Sequence, residues 1–195
     1  MLGDIHIKSP GTHNVSNSLA AVAVGLELDV PFKSIAKALQ EFPGIQHRFE
    51  ILGNVKNVLV VDDYGHHPTE IKATLKAARD TYKDRRLIAI FQPHRYTRVQ
   101  HLAEEFARCF YQADILIMTE IYSAMEDPIE GITGEMLANV TRDHGHREVM
   151  FIPDKNDIPD HVMILVKPGD LIITLGAGDV WKSGKEIVNR LSKKG

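Results

Sequence analysis

Apolar residues along this 195-residue chain fall into two rhythms. Over residues 13–42 they recur every three or four positions. Val15, Leu19, Val22, Ala23 and Leu26 mark one helix, and Phe32, Ile35, Ala36 and Leu39 mark a second that opens at Pro31. Pro43-Gly44 ends the second helix and gives the best boundary signal. Beyond it, short and continuously apolar runs at residues 58–61, 87–91, 115–118, 149–152 and 171–175 read as strands buried on both faces. Helical patterns at about 69–82, 98–112, 134–143, 157–166 and 181–193 separate these runs, and residues 49–55 add a strand at one edge.

Strands alternating with helices of crossover length predict an α/β fold, a doubly wound and mostly parallel sheet over residues 46–195. Residues 1–45 do not fit that repeat. A short strand and two successive helices cannot bury their apolar faces without another layer, so this piece reads as the end of a different domain.

Composition narrows the class. Apolar residues at 44% and charged residues at 25% describe a folded globular chain and exclude disordered or collagen-like ones. Twenty-three basic against 26 acidic residues leave a net charge of -3, which gives no global reason to expect nucleic acid or an anionic membrane as partner. Any anion site must be local. The single cysteine, Cys109, falls in a helical pattern and allows no intramolecular disulfide, so a reducing, cytoplasmic setting is expected. No apolar run approaches the ~20 residues needed to span a bilayer.

In an open parallel sheet, ligands bind beyond the carboxyl ends of the strands. Three such exits are conspicuously polar: residues 62–70 (DDYGHHPTE), 92–98 (QPHRYTR) and 176–179 (GAGD). In the first, Pro68 suits the opening of a helix, and Glu70 is equally a helix-start residue or a site residue. Asp62, Asp63, His66 and His67 could meet ribose hydroxyls or a metal. Adjacent histidines seldom face one ion, however, and no second cluster supplies further ligands, so no metal site is expected. Arg95 and Arg98, three apart at a helix start, are suited to a phosphate or carboxylate; spacing alone also allows two surface arginines. Gly176-Ala177-Gly178 fails as a dinucleotide fingerprint because Trp181 holds the third glycine's place, and no GxxxxGK[ST] phosphate loop occurs. In the N-terminal piece, Asn14 and Asn17 could meet a purine edge, or Asn14 could simply cap its helix.

Taken together, residues 11–21 (GTHNVSNSLAA), 44–50 (GIQHRFE), 60–75 (VVDDYGHHPTEIKATL), 91–98 (FQPHRYTR), 121–131 (IYSAMEDPIEG) and 175–181 (LGAGDVW) resemble the ATP-dependent Mur ligases of peptidoglycan synthesis. The motifs run in family order through almost the whole chain. The pairing of DDYGHHPTE with FQPHRYTR points to the alanine-adding branch, and a branch that recycles a murein tripeptide is the near alternative.

The resemblance implies a three-domain enzyme. Residues 1–45 would be the C-terminal remnant of its central ATP-binding domain, and 46–195 its Rossmann-like C-terminal domain. It implies ATP and Mg2+ as cofactors, UDP-N-acetylmuramate and L-alanine as substrates, and an acyl phosphate attacked by the amine. His13, Asn14 and Asn17 would lie near adenine, Arg48 near the nucleotide and Asp63 near ribose. Tyr64, His66, His94, Arg95, Arg98 and Ala177 would border the substrates, with His66, Arg95 and Arg98 the catalytic candidates. His47 stands where many members carry a second basic residue, and Ser123-Ala124-Met125 departs from commoner versions of that loop. Without a phosphate loop, this chain is expected to be inactive alone and to bind nucleotide weakly. A stand-alone nucleotide-binding or interaction module is the reading from another class.

Overall fold

The computed structural model describes residues 2–193, which divide into two compact units, one ending at Gln46 and the other beginning at His47. In the first unit, helix α1 (Thr12–Glu27) and helix α2 (Phe32–Glu41) follow a segment without regular structure. The short strand expected before α1 is not formed; a strand needs a ladder partner, and the described residues of this unit supply none. Asn14 does not cap α1 either. Gly11 occupies the cap, and the Asn14 carboxamide donates back to Pro10 O at 2.7 Å from inside the first turn. The helix closes with Asp29 in the left-handed region (φ 56°), its N–H donating to Leu26 O while Val30 N–H reaches Gly25 O. Val22 and Ile35 are buried, whereas Val15 and Leu19 on the expected apolar face are exposed.

The second unit is a six-stranded sheet in the order β1-β2-β6-β3-β4-β5. Its strands are β1 (Glu50–Val55), β2 (Val58–Asp63), β3 (Arg86–Phe91), β4 (Ile115–Met118), β5 (Val149–Phe151) and β6 (Asp170–Leu175). Only the edge strand β1 is antiparallel. Lys56 and Asn57, both at positive φ, make the two-residue turn that joins it to β2, a backbone whose twist matches the hairpin. Helices α3 (Pro68–Thr81), α4 (Tyr96–Ala107), α5 (Gly134–Asp143), α6 (Ile158–Leu165) and α7 (Trp181–Lys193) complete the unit.

Period-two alternation within the buried strands builds two cores. Leu59, Val61, Ala89, Phe91 and Ile173 face Ile71, Leu75 and Phe106 of α3 and α4. Val58, Val60, Ile88, Ile90 and Ile172 face Ile158, Val162 and Ile187 of α6 and α7. Both faces are covered, which is why these strands read as continuous apolar runs.

Helix α4 departs from the pattern predicted for residues 98–112. It begins two residues earlier, bends at Leu102 (φ -121°) and stops at Ala107. Phe106 still belongs to the helix, but Cys109 and Phe110, which keep its spacing, lie in the turns that follow, with Cys109 N–H donating to Phe106 O and Ala113 N–H to Phe110 O. Cys109 is therefore in a buried turn, where desolvation pushes its thiol far above the ordinary range. No helix among the described residues is long and apolar enough to cross a membrane.

Candidate functional site

The carboxyl ends of β2, β6, β3 and β4 lie side by side, and the polar segments singled out in the sequence leave from them. At the end of β2 the two aspartates point to different tasks. Asp62 accepts from the Thr174 hydroxyl and from His47 Nδ1, 2.5 Å away. Asp63 accepts from Phe49 N–H and Gly65 N–H, both at 2.9 Å, and from the Thr74 hydroxyl at 3.0 Å. Burial pushes both carboxyls up, against the hydrogen bonds they receive. A ribose hydroxyl at Asp63 would share the carboxylate with these internal donors, which already tie it to the segment before β1, the β2 exit and α3.

Beyond β2, the HHPTE segment folds as a capping box. His67 caps α3 and accepts from Thr69 N–H, Pro68 takes the first helical position, and Glu70 accepts from the amides of His66 and His67, both at 3.1 Å. Burial opposes ionisation of Glu70, but these amides, aided by His66 and Arg48, hold its carboxyl below the ordinary value. Glu70 thus starts a helix and also lies 3.9 Å from Arg48. Arg48 in turn sits over the Tyr64 ring.

From Tyr64 a run of rings crosses the sheet edge. Tyr64 meets His66 edge-on at 5.1 Å, His66 lies 5.5 Å from His94, and His94 stacks on Tyr122 at 5.5 Å, all between ring centroids. The β6 exit makes room beside these rings through two glycines. A Cβ at Gly178 would fall 2.8 Å from the Tyr122 ring, and one at Gly176 (φ 151°) would fall 2.9 Å from Gln92 O. Ala177, the candidate in that turn, lies between them.

The arginines stand on the far side of this run. Arg98 Nη1 donates to His94 Nδ1 at 3.1 Å and to His94 O at 3.2 Å. Partial burial, then the Arg98 cation and the neighbouring His66 and Arg95, lower the His94 pKa from 6.5 to about 4, so its imidazole is neutral at pH 7. Arg95 takes the cap position of α4 with φ 74° and makes no capping bond of its own. One orphan amide of that first turn is satisfied from elsewhere in the chain: Glu126 accepts from Thr97 N–H at 3.1 Å and from the Thr97 hydroxyl at 2.7 Å. These bonds, with Arg95 at 3.7 Å, hold the Glu126 carboxyl below its ordinary value. A carboxylate of the chain itself thus sits at the helix start that carries Arg95 and Arg98.

The sequence did not single out Gln92, Tyr122 or Glu126, although all three lie inside its matched motifs. Gln92 Oε1 accepts from Asp179 N–H, tying the β3 exit to the β6 exit. Gln92 and Tyr122 border a cavity of about 530 Å3 with Thr119, Glu120, Ser123 and Lys155. His47, Glu50 and Asp62 place ligand atoms within 4.8 Å of one another, but all three share internal hydrogen bonds. His13, Asn14 and Asn17 belong to the first unit, and His13 and Asn17 are exposed there.

Comparison with known proteins fits this geometry. The family model for the Mur ligase, glutamate ligase domain matches residues 47–178. The UDP-N-acetylmuramate--L-alanine ligase of Trichlorobacter lovleyi is 53% identical over 97% of the chain, which spans 42% of that protein's length. Among solved structures, the UDP-N-acetylmuramate-alanine ligase of Thermotoga maritima superposes with a TM-score of 0.84 at 30% identity, over 98% of this chain and 40% of that one. A murein peptide ligase of Psychrobacter arcticus superposes with a TM-score of 0.68 at 28% identity, over 96% and 38%. The polar exits of β2, β3 and β6 all fall within or beside the matched stretch, and the chain belongs to the Mur ligase family.

Proposed function

We propose that this chain is the C-terminal part of a cytoplasmic UDP-N-acetylmuramate:L-alanine ligase, which forms an amide bond at the expense of ATP during peptidoglycan precursor synthesis. Residues 1–45 are then the end of the central ATP-binding domain and 46–195 the C-terminal domain. The observation that carries the reading is the convergence of Arg98, His94, His66 and Tyr64 on one edge of the sheet, in a chain 53% identical to such a ligase.

In the whole enzyme, ATP with Mg2+ supplies the phosphoryl group that activates the lactyl carboxylate of UDP-N-acetylmuramate. This chain's residues would bind and orient around that chemistry. Arg95 and Arg98 offer planar cationic forks to the substrate carboxylates. His94, neutral and accepting from Arg98, fixes that guanidinium without competing for the anion. Tyr64, His66 and Ala177 wall the cleft and exclude water from a hydrolysable acyl phosphate. Arg48, exposed and held near Glu70, suits a nucleotide phosphate, and Asn14 and Asn17 with His13 suit adenine. Asp63 contributes by bracing the loop that carries Tyr64 and His66.

The reading is tested by assaying ADP release with UDP-N-acetylmuramate and an amine acceptor, using the 195-residue chain and the full-length protein that contains it. Release by the full-length protein with L-alanine, and none by the chain alone, is the expected result. Turnover by the isolated chain would overturn the fragment reading, and preference for a tripeptide acceptor would transfer the protein to the recycling branch.

A further inference from the structure

We propose that Glu126 is a positioning residue for the anion-binding arginines, acting on Arg95 directly and on Arg98 through the start of α4; the proposal rests on the ligase reading above. Glu126 lies in the loop after β4, yet both of its carboxylate oxygens end on Thr97 in the first turn of α4. The oxygen that accepts from the Thr97 hydroxyl is also the one 3.7 Å from Arg95 Nη1. One carboxylate thus caps the helix and draws the guanidinium toward it.

The backbone around this contact supports a role beyond ordinary capping. Arg95, Ala124 and Met125 all adopt left-handed backbone, at φ 74°, 50° and 69°. None is glycine, asparagine or aspartate, so each conformation carries a conformational cost. Met125 is fully exposed and gains no burial from the bend. What the bend delivers is Glu126 to Thr97, after a turn closed by Glu126 N–H on Ser123 O. The same loop is fixed to the arginine segment by Arg95 N–H on Tyr122 O at 2.9 Å and Tyr122 N–H on Pro93 O at 2.8 Å. Thr97 itself could have capped nothing from its place in the helix, and Arg95 at the cap lacks an acceptor side chain. The loop therefore supplies the acceptor and holds Arg95 near the neighbouring Arg98, whose own anchor is His94.

Two measurements test the proposal. In the 195-residue chain, side-chain nitrogen relaxation should show Arg95 Nε held in the wild type, and in E126Q and E126A moving toward the freedom of exposed Arg147. An Arg95 signal as mobile in the wild type as in the variants would overturn the proposal without reference to any activity. In the full-length enzyme, E126Q keeps an acceptor for Thr97 but loses the charge. It should raise the KM for L-alanine about three- to tenfold, with kcat and the KM for ATP within twofold of wild type. In an R95Q background the same change should add nothing. An unchanged KM in E126Q, or an equal increase in the R95Q background, would overturn it. Absence of L-alanine turnover in the wild-type enzyme would instead remove the ligase reading and leave the relaxation result standing.

Discussion

Arg98 donates from Nη1 to Nδ1 of His94 at 3.1 Å, which requires that nitrogen to carry no proton. A cation donating to an imidazole keeps it neutral, and partial burial works in the same direction. His94 should therefore titrate near pH 4, with the neutral ring protonated at Nε2 through the physiological range. Long-range 1H–15N correlation spectra recorded against pH measure this directly. Arg98→Gln should raise the value, because it removes the nearest opposing charge. The stability consequence has a definite sign: the folded state holds the proton less tightly than the unfolded chain, whose histidine titrates at 6.5. Stability should fall as pH drops from about 6.5 to about 4, and His94→Asn should remove that part of the slope.

Asp63 joins three separate segments through one carboxylate. Phe49 N–H precedes β1, Gly65 N–H follows β2 and the Thr74 hydroxyl comes from α3. Asn at this position keeps the volume but turns an NH2 group toward donors, leaving at least one of them unpaired. Asp63→Asn should cost roughly 2 kcal/mol in urea unfolding, and Thr74→Val about 1 kcal/mol, since valine removes one donor and leaves the carboxylate two others. Equal stability of Asp63→Asn and wild type would show that the carboxylate is not the brace described here.

The sheet was legible because its central strands carry apolar runs through their middles, flanked by polar residues at their ends, a pattern that follows from helices covering both faces. The end of α4 was not, since Phe106, Cys109 and Phe110 repeat at a spacing that a helix and a series of tight turns share. Much of the candidate site was legible for a similar reason of locality: strand exits place His66, His94 and Arg98 near one edge whatever the loops do. The inward aim of Asp63 was hidden, because its partners are backbone amides whose positions no side-chain pattern records. Glu126 was hidden by distance, its carboxylate capping a helix 29 residues earlier in the chain.

Gly178 sits where the β6 exit passes Tyr122 and Gln92. Gly178→Ala would place a methyl 2.8 Å from the Tyr122 ring and closer still to the Gln92 carboxamide, both of which border the site. The expected result is a loss of about 1–3 kcal/mol in thermal or urea unfolding, the ordinary range for overpacking, together with a shifted His94 signal as Tyr122 moves off its stacking partner. A variant as stable as wild type, with His94 unshifted, would mean that the turn has space the structure does not show.

At the opposite end of the same strands, Arg86 and Asp170 open β3 and β6 and pair through two bonds, Nε to Oδ1 at 2.9 Å and Nη2 to Oδ2 at 2.7 Å. Asp170 is almost fully buried and also accepts from Lys167 N–H. Arg86→Met would leave that carboxylate with one amide donor and no cation bonded to it, at a cost of about 3 kcal/mol. The aspartate then becomes the group that suffers: its pairing is lost while its burial remains, so Asp170→Asn in the Arg86→Met background should recover part of the loss. Because the pair sits at the amino ends of the strands and the rings at their carboxyl ends, the His94 titration should stay near pH 4 in both variants. A His94 value that follows the unfolding midpoint would show instead that the two ends of the sheet are coupled through strand register, and that the cleft is no more rigid than the salt bridge beneath it.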